Sequence, residues 1–229
     1  CCALLEQLSY NPRVIADWTG KKIDGFNYTL DDICQVIGRT CDLVMPPVAP
    51  RGTARETTAD GFVVQSDNWT TWHVSRPFTD EHGACDWLRH LTASIRSGPF
   101  DADTIRADYR QSMLDLQSRI GDTVILNYSA TGFCRSFDQM GLEIFTFFQL
   151  EYPEVLKEYM ETSVARELRR IHAVADSELS PVILIPEDFA TRQGPIFSPE
   201  FLHDYHYPYV TELTDAWHEH DVKVLYHSD

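Results

Sequence analysis

Val182-Ile-Leu-Ile-Pro-Glu187-Asp188 joins an apolar run to a pair of carboxylates, and the same design recurs at two other places. Thr123-Val-Ile-Leu-Asn127-Tyr128-Ser129 ends in neutral donors, and Val222-Lys-Val-Leu-Tyr-His227-Ser-Asp229 ends in an imidazole and a carboxylate. Short apolar runs rich in β-branched residues read as buried strands. The stretches between them read as helices. After Pro153, which suits a first helical turn, Leu156, Met160, Val164, Leu168, Ile171 and Ala175 recur every three or four residues, so one stripe faces a sheet. Strand, helix, strand of this kind gives a parallel sheet with right-handed crossovers. Its chemically active groups gather at the carboxyl ends of the strands.

Toward the N-terminus, Arg13-Val-Ile-Ala-Asp17 reads as a first strand, and Thr29-Leu-Asp-Asp32 opens a helix with capping-box spacing that ends near Gly38. Cys41-Asp-Leu-Val-Met45 reads as a second strand, stopped by Pro46 and Pro47, which lack the amide a ladder needs. A Gly/Thr/Arg-rich loop follows. Gly61–Gln65 and Thr70–Ser75 then alternate polar and apolar across Asp67-Asn68, which is a hairpin pattern. Residues 79–119 turn helical, broken at Ser97-Gly-Pro99. Toward the C-terminus, Ser198-Pro199-Glu200 starts a helix with a buried stripe of Leu202, Tyr205, Tyr209, Leu213, Ala216 and Trp217, and Pro208 should kink it.

The expected fold is therefore α/β, a (β/α)8 barrel of the TIM type, present as an incomplete fragment with about five strands plus an inserted hairpin. Residues 1–229 form one domain in this reading. The absence of an initiator Met and the end of the chain directly after a strand suggest truncation at both ends. An open doubly wound sheet is the alternative, but no G-x-G-x-x-G follows any strand.

A formal net charge of -16 argues against nucleic acid and anionic membrane surfaces as partners, because both need a basic face. No apolar run approaches the ~20 residues that span a bilayer, and no secretory signal opens the chain. Its six cysteines form no C-x-x-C pair and read as reduced thiols, so the expected compartment is the cytoplasm.

The candidate chemistry follows the strand ends. His227 and Asp229 are two apart in an extended segment, so they project to one side with Cα atoms about 7 Å apart and can reach one ion or ligand. Of the adjacent Glu187 and Asp188, only one can face inward, where it would orient a ligand or take a proton; Arg192 is close enough in sequence to pair with either. Asn127 and Tyr128 offer neutral groups for a polar substrate edge. Trp72, with Trp69 and His73, either lines an apolar ligand or seals the hairpin. His203, His206, His218 and His220 read as surface or helix-end residues.

Pro186-Glu-Asp-Phe-Ala-Thr-Arg-Gln-Gly-Pro-Ile-Phe-Ser-Pro-Glu-Phe201, followed by His218-Glu-His-Asp-Val-Lys-Val-Leu-Tyr-His-Ser-Asp229, resembles the uroporphyrinogen decarboxylase superfamily. That group includes corrinoid-dependent methyltransferases acting on coenzyme M and related acceptors. The resemblance implies a (β/α)8 barrel with its site at the strands' carboxyl ends. In the methyltransferase branch the last quoted strand ends in H-x-C and supplies zinc ligands. Here His227 matches the histidine and Asp229 replaces the cysteine, a harder ligand that suits zinc or another divalent metal. The implied function is transfer of a methyl group from a methylated corrinoid protein, the expected partner, to a thiol or other small acceptor, with His227, Asp188 and Glu187 as catalytic groups.

Uroporphyrinogen decarboxylase itself is the first alternative. It carries an arginine-rich segment near its first strand, where this chain reads Trp18-Thr-Gly-Lys-Lys22, and an F-S-D segment, where it reads Met45-Pro-Pro-Val48. A polyanionic substrate would meet little to offset the desolvation of its charges. A barrel that docks a corrinoid protein or small ligand without turnover is the second alternative.

Overall fold

The computed structural model describes residues 5–6 and 11–228. The chain divides into two compact units, Cys1–Ser75 with Tyr109–Asn127, and Arg76–Asp108 with Tyr128–Asp229. Both combine helices with strands, so the fold is α/β.

In the first unit, β1 (Leu5–Glu6) is followed by α1 (Pro12–Thr19), α2 (Leu30–Thr40) and β2 (Leu43–Val44). The expected strand at Arg13–Asp17 is a helix instead. Asn11 accepts the Arg13 amide, Pro12 occupies the first turn, and Gly20 closes α1 in the left-handed region at φ 68°. These end signals are local and outweigh the strand propensity of Val14 and Ile15. The Thr29–Asp32 capping box forms as expected, and α2 buries Ile33, Cys34, Val36 and Ile37. Gly38 lies so close to the Ile120 carbonyl that a Cβ there would collide with it.

Next come β3 (Thr53–Thr57), β4 (Val63–Asp67) and β5 (Thr70–Ser75), an antiparallel meander with Asp67 opposite Thr70. The hairpin is the expected one. Its third strand, β3, was expected as loop because Thr-Ala-Arg-Glu-Thr is exposed throughout and carries no apolar alternation. Trp72 does not seal the hairpin: its ring is exposed, whereas Trp69 packs edge-on against Phe26 and His73 lies over Phe62. The chain continues through α3 (Glu81–Ser97) and α4 (Ala102–Ile120) to β6 (Val124–Ile125). There β1, β2 and β6 complete a parallel three-stranded sheet in that order.

After β7 (Asn127–Tyr128), whose Tyr128 opens the rest of the second unit, come α5 (Phe133–Met140), α6 (Leu142–Glu151), α7 (Pro153–Val174), β8 (Val182–Pro186), β9 (Ala190–Thr191), β10 (Gly194–Pro195), α8 (Pro199–Tyr205), α9 (Tyr207–His218) and β11 (Lys223–His227). β11 and β8 pair in parallel from Lys223 opposite Val182 to His227 opposite Pro186, with β7 on the far side of β8. α7 buries Leu156, Met160, Val164 and Ile171 of the expected stripe. Phe133 sits at the centre of the core with its ring 5.1–5.9 Å from those of Phe145, Phe189, Phe197 and Phe201. Edge-to-face packing of this kind adds about 0.5–1.5 kcal/mol per pair beyond the burial itself.

The single kinked helix expected after Ser198 is two helices. The first ends at Tyr205, His206 takes a non-helical φ of -132°, and Pro208 falls in the first turn of α9, where its missing amide costs nothing. This break turns His206 inward, so it is fully buried rather than on the surface as expected. Tyr205 and Tyr209 are only half-buried.

Among the described residues the strands form four small sheets and no closed barrel. No described helix is long and apolar enough to cross a membrane. Cys34, Cys41, Cys85 and Cys134 are free thiols.

Candidate active site at the ends of β8 and β11

The parallel register that sets His227 opposite Pro186 also carries the next residues of both strands to one place. The Glu187 amide donates to the His227 carbonyl at 2.9 Å, which prolongs the ladder by one step. Successive side chains then point to opposite sides. Asp188 turns outward and its Oδ1 lies 3.0 Å from His227 Nδ1. The pair is wet: the side chains are 38% and 65% exposed. Glu187 turns inward and is 1% exposed.

Glu187 lies beside the first turn of α5. Its Oε1 accepts the Thr131 hydroxyl at 2.9 Å, and the same Thr131 oxygen accepts the Phe133 amide at 3.1 Å. Burial pushes the Glu187 carboxyl above its ordinary value. The Cys134 thiol, the Thr131 hydroxyl and the amides of Thr131 and Cys134 all favour the ionised form, but together they do not overcome it. Its Oε2 has no hydrogen bond of good geometry. Burial also raises the Cys134 thiol, with the Glu187 charge adding to it.

Two further groups complete this inner half. His206 Nε2 lies 3.1 Å from the Tyr226 hydroxyl, and Nδ1 has no partner. Phe189 approaches the imidazole edge-on at 4.8 Å and Phe133 at 5.5 Å, and burial pushes its pKa down to about 4. The Tyr226 phenol is raised, first by burial and then by Glu187. The site thus has a solvated imidazole–carboxylate pair outside and Glu187 and His206 buried inside, with the partly exposed Tyr226 beside His206. The outer pair can accept and return a proton, with Asp188 steadying the imidazolium. Burial shifts the inner carboxyl toward the protonated form, the one that can donate a hydrogen bond.

The other expected site residues fall elsewhere. Asn127 and Trp72 belong to the first unit, where Asn127 Nδ2 lies 3.8 Å from Met113 Sδ. Tyr128 is exposed, and its carbonyl accepts from Arg170 at 2.8 Å. Arg192 is exposed on the turn between β9 and β10 rather than paired with the carboxylates, since Asp188 faces His227 and Glu187 faces Thr131. Asp229 lies outside the described residues. Thr131, Cys134 and Tyr226 are not singled out by the sequence, and His206 is expected there as a surface or helix-end residue. Tyr226 carried the one usable signal, its alternation with His227.

Among the described residues no group of three or more His, Cys, Asp or Glu is placed to hold a metal ion. An imidazole backed by a carboxylate does match the usual support of a metal-binding histidine, with Nε2 as the nitrogen that would face the ion. Neither a family model nor a curated protein matches the chain.

Proposed function

We propose that this chain is a corrinoid-dependent methyltransferase of the uroporphyrinogen decarboxylase superfamily, built on that group's (β/α)8 barrel. It would move a methyl group from a methylated corrinoid protein to a thiol or other small acceptor. The observation that carries the reading is the 3.0 Å contact of His227 with Asp188 beside a buried Glu187, all at the carboxyl ends of paired parallel strands. The resemblance of residues 186–201 and 218–229 to that superfamily supports it.

In this reading the acceptor thiol approaches His227 and gives its proton to the imidazole, and Asp188 stabilises the cation that forms. The sulfur lone pair makes the new bond to the methyl carbon. The bond from that carbon to cobalt breaks, and its electron pair stays with the donor. Glu187, buried behind the pair with its carboxyl shifted toward the protonated form, would help to orient the acceptor by fixing the strand end against Thr131. Alternatively, His227 Nε2 with Asp229 would hold zinc or another divalent ion, which would favour the thiolate form in place of proton transfer to the imidazole.

The test is methyl transfer from methylcobalamin to a panel of small thiols, with metal analysis of the same preparation. Transfer should be measurable and should fall about 100-fold or more in His227→Ala, the scale of a lost general base. No transfer with or without added divalent metal, or an unchanged rate in His227→Ala, refutes the proposal. A docking module without turnover would keep partner affinity in that variant and show no rate to lose.

A further inference from the structure

The chain is strongly acidic, yet one face of the second unit gathers guanidinium groups around a cavity of about 400 Å³. The cavity lies between α7, the first turn of α5 and the connection from α3 to α4. Ile95, Phe100, Ile105 and Ala130 supply its apolar lining, and Arg135, Arg166 and Arg170 line it as well. Its carboxylate, Glu167, is already neutralised: Arg170 donates to both its oxygens at 2.6 and 2.7 Å, and the Ser129 hydroxyl adds a third bond at 2.5 Å. The remaining positive charge is not offset within the cavity. Arg166 donates to the neutral carbonyls of Ile95 and Pro99, and Arg135 to the neutral amide of Gln139.

Two details shape the floor. Ser163 Oγ is buried there beside the Tyr159 hydroxyl, to which it hydrogen-bonds. Opposite it stands Gly132 at φ 95°, where a Cβ would come within 3.0 Å of Ser163, so any side chain at 132 would close the space. Phe100 is held in place from one direction by the Arg169 guanidinium, 4.0 Å from its ring centroid. The volume lies within the ~300–1,000 Å³ of small-molecule sites, which are mostly apolar with a few directed polar groups.

We infer that this cavity is a binding site, separate from the His227–Asp188 pair, for an oxyanion carried on a ring-sized apolar body. Arg135 and Arg166 take the carboxylate or phosphate, and Ile95, Phe100 and Ile105 cover the body. Planar guanidinium donors suit both anions. The inference does not depend on the methyltransferase reading. The two sites meet at the turn 129–132 and the start of α5, where Thr131 and Cys134 face Glu187 while Ala130, Gly132 and Arg135 face the cavity.

Isothermal titration of the full chain with phenyl phosphate, benzoate and inorganic phosphate tests it. Phenyl phosphate or benzoate should saturate at one per chain and bind about tenfold tighter than inorganic phosphate, since only they fill the apolar part. Whichever of the two binds tighter identifies the anion as phosphate or carboxylate. Arg135→Gln, at an exposed position, should weaken binding about tenfold, the effect of one charge-assisted contact, and Ala130→Phe should do so by filling the cavity. Neither change should alter thermal unfolding of the free protein by more than a few degrees. The inference is overturned if neither ring compound saturates, if inorganic phosphate binds as tightly as phenyl phosphate, or if both variants bind like the parent.

Discussion

Lowering the pH should destabilise this fold through one residue, His206, and the size of the effect follows from its surroundings. The imidazole is fully buried against Phe133 and Phe189, with Tyr226 as its hydrogen-bond partner, and its pKa falls from 6.5 to about 4. In the unfolded chain the ring protonates near 6.5, whereas the folded chain resists until about 4. Unfolding therefore takes up a proton between those values. The stability this group contributes is complete above 6.5 and is lost as the pH falls through the window. At about 1.4 kcal/mol for each pH unit the loss amounts to about 3–4 kcal/mol, most of which has gone by about pH 4.5. His206→Gln removes the titration while keeping a polar group toward Tyr226. Urea unfolding of both proteins between about pH 7.5 and 4.5 isolates the effect, because groups common to both cancel in the difference. The variant should be the less stable protein at neutral pH, and its deficit should shrink by about 2–3 kcal/mol on acidification. Parallel stability profiles across that range would refute the reasoning, since they would mean that His206 titrates alike folded and unfolded.

Glu187 should behave in the opposite sense. Its folded pKa is raised, so the folded chain holds a proton that the unfolded chain releases near 4.5, and stability falls as the pH rises through the folded value. Glu187→Gln should gain stability relative to the parent with rising pH in the same urea series; a constant difference, or a relative loss, would contradict the buried-acid assignment. Gly38→Ala should cost about 1–3 kcal/mol, because its Cβ meets the Ile120 carbonyl, a backbone atom that cannot rotate away. A thermal midpoint within one degree of the parent would show that α2 and the end of α4 separate easily.

What could be read from sequence was what local chemistry decides. The Thr29–Asp32 capping box, the Val182 strand and the hairpin at Asp67-Asn68 each depend on a few neighbouring residues, and each stands where the pattern put it. α1 was misread because Val14 and Ile15 were weighed for strand propensity while the Asn11-Pro12 start was not. His206 was misread because its burial depends on where the helix breaks, and a break at His206 moves Pro208 from an interior kink to a harmless first turn. At the site, the alternation of Glu187 and Asp188 showed that only one could face inward. Packing alone determined that it was Glu187, through Thr131 and Cys134, more than fifty residues earlier in the chain.

Burial favours the uncharged form of the groups around Glu187: it raises Glu187 and Cys134 and lowers His206, and it raises Tyr226 although that ring stays partly exposed. His227 and Asp188 lie within reach of water. This division matters in a chain of net charge -16. An ionised Glu187 would place one more negative charge in a medium of low dielectric, where like charges repel far more strongly than in water, and the shift of its carboxyl toward the protonated form lessens that cost.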